Sequence, residues 1–86
     1  MLFRSARTFG PQGIAVNSIA PGSTDTPMTA PLKALPGRRE SVKAMVPLGR
    51  SADPAEIAEA IAWLLSPQAS YVNGSTLVVD GGIVMY

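Results

Sequence analysis

Two short aliphatic runs with a well-marked helix between them constrain this chain more than any other feature. Ile14-Ala15-Val16-Asn17-Ser18-Ile19-Ala20 follows Gly13, is rich in β-branched residues and is closed by Pro21-Gly22. It reads as a strand, and its lack of strict alternation suits burial on both faces. Asp53 caps a helix, Pro54 fits its first position and Glu56 stands where a capping box puts its acid. Ile57, Ile61, Leu64 and Leu65 then make one apolar stripe, widened by Ala58 and Ala62, before Ser66-Pro67 ends the helix. Asn73-Gly74 is a turn signal, and Ser75-Thr76-Leu77-Val78-Val79 reads as a second buried strand. Strand, crossover helix and strand form the unit of a parallel sheet, so the expected class is α/β.

The remaining segments fit around that unit. Leu2 to Phe9 reads as the last turns of a helix, stopped by Gly10 and Pro11. Pro27, Pro31 and Pro36 make a long helix between Ser23 and Pro36 improbable, so that stretch is expected to be loop. Arg38 to Val46 reads as a short helix closed by Pro47, and Trp63 and Tyr71 read as packing residues. Two strands alone leave edges open and are marginal in water. Residues 1–86 are therefore expected to form part of one domain, with apolar surface left to cover.

Composition removes several functions. The net charge is +1, and aromatic residues do not alternate with Lys33, Arg38, Arg39, Lys43 and Arg50, so nucleic acid is not an expected partner. Those cations read as a solvated helix face with a loop. The chain has no cysteine and no histidine, which excludes disulfides, thiolate chemistry and the commonest general base and metal ligand. No cluster of acids converges at short spacing, so no metal site is expected. No signal peptide or membrane span is visible, and a cytoplasmic location is expected.

Neither a glycine-rich phosphate turn nor a Walker pattern occurs, and Gly81-Gly82 reads as a tight strand exit. The serines lack a histidine partner for triad chemistry. One segment remains. Where the first strand ends, Pro21-Gly22 opens a hydroxyl-rich loop, Ser23-Thr24-Asp25-Thr26. The carboxyl edge of a parallel sheet is where ligands sit. Backbone amides with Ser23, Thr24 and Thr26 have the donors to bind a planar polar group such as a carboxamide, although an ordinary turn has the same spacing.

Four blocks resemble the short-chain dehydrogenase/reductase family, and its 3-oxoacyl-carrier-protein reductase-like members in particular. Gly13 to Gly22 is similar to the family's G-I-x-V-N-x-I-x-P-G, and Asp25-Thr26-Pro27-Met28 to x-T-P-M. Pro47-Leu48-Gly49-Arg50 with Pro54-Ala55-Glu56-Ile57-Ala58 resembles P-L-G-R followed by P-x-E-I-A. Tyr71-Val72-Asn73-Gly74 through Val79-Asp80-Gly81-Gly82 resembles the closing Y-x-T-G and V-D-G-G. The blocks keep family order and spacing over nearly the whole chain.

The resemblance implies the C-terminal portion of a Rossmann-type, doubly wound parallel sheet and an oxidoreductase using NAD or NADP. It implies that Pro21, Gly22, Thr24 and Thr26 bind cofactor, with Thr26 and the backbone at position 24 holding the nicotinamide carboxamide. Threonine at 24 departs from the family's usual aliphatic residue, a change that a backbone contact survives. Residues 26–47 correspond to the variable substrate lid. The family's phosphate turn, catalytic serine and Tyr-x-x-x-Lys pair precede the matched part, and four residues after Tyr71 stands Ser75. No catalytic residue is therefore assigned. The chain alone is expected to be inactive and not to hold cofactor. An alternative reading is a non-catalytic module that associates, as a homo-oligomer, through the helix and strand of residues 53–79. A third is an aggregation-prone product without function.

Overall fold

The computed structural model describes residues 1–84. In chain order it contains α1 (Leu2–Phe9), a 3₁₀ turn (Gly10–Gln12), β1 (Ser18–Pro21), α2 (Ala30–Lys33) and α3 (Arg38–Met45). Then come α4 (Pro54–Leu64), a second 3₁₀ turn (Pro67–Ala69) and β2 (Thr76–Val79). The two strands pair in parallel, Ser18 opposite Thr76 through Pro21 opposite Val79. The α/β class read from the sequence is the one found.

β1 is shorter and later than Ile14 to Ala20. Its ladder begins only where β2 begins, and two asparagines tie the chain together before that point. Asn17 Oδ1 accepts the Ser75 N–H at 3.0 Å while its Nδ2 donates to the Val72 carbonyl. Asn73 Oδ1 accepts the Val16 N–H at 3.0 Å, and its Nδ2 donates to the Ala6 carbonyl at the end of α1. With the Gly74 N–H, which donates to the Val16 carbonyl at 2.9 Å, these amides fix the register ahead of the ladder. Pro21 lies inside the strand rather than after it. The Ser18 and Gly22 N–H groups donate to Ser75 and Val79, so alternation turns position 21 away from β2, where a missing donor costs no rung.

Helix ends follow local chemistry. α1 ends at Phe9 with Gly10 as its cap, as expected; a 3₁₀ turn then accepts Pro11 in its first positions, and Gly13, at φ +80°, ends it. The loop from Ser23 to Pro36 holds no long helix, only the four residues of α2. α4 begins with the capping box expected. Asp53 accepts the Ala55 N–H, and Glu56 accepts the Asp53 N–H at 2.9 Å.

Burial departs most from expectation. Only Ala6, Val42, Val46 and Ala69 are buried apolar residues among those described. Neither strand is buried on both faces, because each has one neighbour and no described helix covers the sheet. The α4 stripe is likewise open, with Leu65 82% exposed. Trp63 is 48% and Tyr71 fully exposed, so neither packs as expected; no described element lies over them. The accessible surface is 6621 Å², against about 4,800 Å² for a compact protein of this mass. The radius of gyration is 15.8 Å, where a compact chain of this length has about 12 Å. No described helix is long and apolar enough to cross a membrane.

Candidate functional site

The loop after β1 is a built turn. Gly22 continues the ladder by donating to the Val79 carbonyl. A Cβ at Gly22 would stand 2.7 Å from Asp80 Cβ and 2.8 Å from its Cα, so glycine is required by the approach of β2. Asp80 in turn accepts the Gly82 and Val84 N–H groups, which hold its carboxyl below the usual range. Gly81, at φ +68°, lies against Val46, and its carbonyl accepts the Leu48 N–H. Gly81-Gly82 is thus the strand exit expected, and it also docks the end of β2 on the segment after α3.

Beyond Gly22 the chain runs beside Ala52 as a single parallel bridge. Asp25 donates to the Ala52 carbonyl, and Ala52 donates to the Ser23 carbonyl, both at 2.9 Å. The Ser23 and Ser51 hydroxyls meet at 2.7 Å. This bridging pattern leaves the N–H and C=O of Thr24 pointing away from Ala52. The Thr24 carbonyl accepts the Thr29 hydroxyl at 2.8 Å, and the Thr24 side chain folds back on the Gly22 carbonyl. The Thr24 N–H has no partner among the described residues.

Thr29 clamps the turn, and sequence reading missed it. A hydroxyl has one proton to give, and its shortest acceptor is Thr24. The same oxygen accepts the Thr26 N–H at 2.9 Å. Thr26 Oγ1 accepts the Thr29 N–H at 3.3 Å and lies 3.3 Å from the Thr29 hydroxyl oxygen, so the Thr26 hydroxyl proton is held only by that long contact and can turn to a ligand. The Thr-x-x-Thr spacing was the available signal, since threonines bond locally in turns.

The expected site residues come together here. Pro21, Gly22, Thr24 and Thr26 all line one cleft of about 910 Å³, whose far wall is α2, α3 and the segment from Gly49 to Ser51. Thr24 and Thr26 are half-buried, and Pro21 is exposed. Lys33, Arg38, Arg39, Lys43 and Arg50 border the same cleft, a convergence that reading them as a solvated face did not anticipate. Lys33 pairs with Asp25 at 3.3 Å. Arg50 grips Glu56 through two bonds, at 2.7 and 3.0 Å, and with the cap holds that carboxyl down at about 2. The P-L-G-R and P-x-E-I-A blocks are therefore one physical unit, a cation clamped on the acid of a capping box.

Comparison with known proteins gives the family and the fold. The family described as enoyl-(acyl carrier protein) reductase matches residues 2–84. The 3-oxoacyl-[acyl-carrier-protein] reductase of Vibrio cholerae is 46% identical over 80 residues, covering 93% of this chain and 32% of that protein. A structure of 4-hydroxyisoleucine dehydrogenase complexed with NADH superposes with a TM-score of 0.91 at 34% identity, covering 96% of this chain and 34% of that one. An Agrobacterium tumefaciens structure with bound NADP gives a TM-score of 0.88 at 38% identity, covering 95% and 33%. The chain thus spans about a third of the length of these relatives. With its Rossmann-type arrangement of parallel strands and its match over residues 2–84, the chain belongs to the short-chain dehydrogenase/reductase family of oxidoreductases.

Proposed function

We propose that this chain is the C-terminal part of an NAD(P)-dependent oxidoreductase, supplying the nicotinamide-side loop, the substrate lid and the last strand. The observation that carries the reading is the Thr24 to Thr29 turn. It sets an unpartnered N–H at Thr24 beside a hydroxyl proton at Thr26, on the carboxyl edge of a parallel strand. Two donors on one short turn fit the carbonyl of a carboxamide. Relatives solved with NADH and with NADP support the same cofactor class.

When bound, the nicotinamide group supplies or accepts a hydride. The residues of this chain orient it. Thr24 and Thr26 would hold the carboxamide, Pro21 and Gly22 would form the strand end beside it, and α2 and α3 would form the lid. None of these groups exchanges a proton with substrate. Proton transfer and the grip on the ribose belong to the family's Tyr-x-x-x-Lys pair, which residues 1–86 do not contain.

The chain by itself is accordingly inactive. Calorimetric titration with NADH and NADPH is expected to give no saturable heat up to millimolar cofactor. Saturable binding would overturn this dependence on further residues and point to a site assembled by the chain itself. The open face of α4 and the edge of β2 favour a second role for residues 53–79 as an association surface, as in a homo-oligomer. Sedimentation checks it: a monomer at all concentrations removes that role.

A further inference from the structure

The charges around the cleft are sorted. Five of the chain's seven cations, Lys33, Arg38, Arg39, Lys43 and Arg50, line it, whereas Asp25 is the one acid among its lining residues. The whole chain is nearly neutral at +1, so this is a local field and not a reflection of composition. Two of the five are spoken for, Lys33 by Asp25 and Arg50 by Glu56. Arg38, Arg39 and Lys43 form no ion pair among the described residues. All three belong to α3, which Gly37 opens without a side-chain cap. The partial positive charge of that helix start adds to theirs. Glu40 is the only acid in α3 and does not line the cleft.

We propose that this cleft takes an anionic substrate, one bearing a carboxylate or phosphate, held by Arg38, Arg39 and Lys43. The inference rests on the nicotinamide reading of the Thr24 to Thr29 turn, because that turn forms the opposite wall. An anion on α3 leaves the rest of the substrate extended towards Thr24 and Thr26, where redox chemistry takes place. Arg38 is half-buried, and a planar guanidinium offers paired donors to carboxylate or phosphate, while Lys43 adds a point charge. A neutral substrate would leave three unpaired cations facing its own apolar atoms.

The test is residue-resolved NMR of the full chain at low salt, titrated with glutarate, with inorganic phosphate and with neutral dimethyl glutarate. Saturable shifts at Arg38, Arg39 and Lys43 are expected with one or both anions and not with the diester. Arg39→Glu is expected to weaken anion binding at least tenfold, and added salt to weaken it several-fold. The anion that saturates first identifies the substrate's charged group. Arg4 and Arg7, which also form no ion pair among the described residues, lie outside the cleft and serve as the internal control. Shifts of equal size there, equal response to the diester, or no saturable shift would overturn the proposal. Failure of the nicotinamide reading shows separately, as unchanged cofactor KM when Thr26 is altered in a complete enzyme.

Discussion

The Thr29 hydroxyl donates to the Thr24 carbonyl at 2.8 Å and accepts the Thr26 N–H at 2.9 Å, so one side chain closes the turn on which the site depends. Thr29→Val keeps the shape and removes both bonds. The expected cost is about 1 kcal/mol locally. That corresponds to roughly fivefold faster hydrogen exchange at the Thr26 amide. Unchanged exchange would mean that the turn is held by Asp25 and Ala52 alone.

Gly22 and Gly37 separate two kinds of glycine. Gly22→Ala drives a Cβ into the backbone of Asp80 and is expected to cost about 1–3 kcal/mol through overpacking. Gly37 has φ +76° and nothing within 4 Å of a built Cβ, so Gly37→Ala carries only conformational strain, about 1 kcal/mol. Urea midpoints of the two variants should fall in that order.

Acid should loosen the start of α4. The Glu56 carboxyl is held at about 2 by Arg50 and the Asp53 N–H, against an ordinary 4.5. Because the folded value is the lower one, the contribution is present above 4.5 and is lost as pH falls towards 2. Asp80 is shifted in the same direction and adds to the trend. Thermal unfolding followed by circular dichroism should show a fall in midpoint across that window. The fall should be smaller in Glu56→Gln, and an identical fall would assign the acid sensitivity elsewhere.

The paired asparagines should matter more than their surface position suggests. Asn73→Ala removes partners from the Val16 N–H and the Ala6 carbonyl together. The expected loss is about 1–3 kcal/mol, with the signals of α1 and of the start of β1 disturbed in the same spectrum. A perturbation confined to residues near 73 would show that the register is set by the β1–β2 rungs alone.

Local signals made much of this fold legible. Asp53, Pro54 and Glu56 announce α4 because capping is a matter of three neighbouring residues. Pro21-Gly22 and the hydroxyls after it marked the loop, and the structure brings those residues to one cleft. What could not be read depends on partners distant in sequence. The approach to β1 is held by Asn73 and Gly74, the first of them 57 residues away from Val16. The exposure of Trp63, Tyr71 and Leu65 follows from what lies over them, which an apolar stripe does not specify. The five cations looked like an ordinary solvated stretch because their convergence needs α2, α3 and the Arg50 segment folded around one turn.

The most direct test of the account is made in a chimera, with residues 2–84 replacing the corresponding part of a catalytically active member of the family. Steady-state KM for NADH or NADPH is measured with and without Thr26→Val. The account predicts an active chimera whose cofactor KM rises several-fold on Thr26→Val while its thermal midpoint holds. A folded chimera that binds and turns over cofactor identically with valine at that position would contradict it.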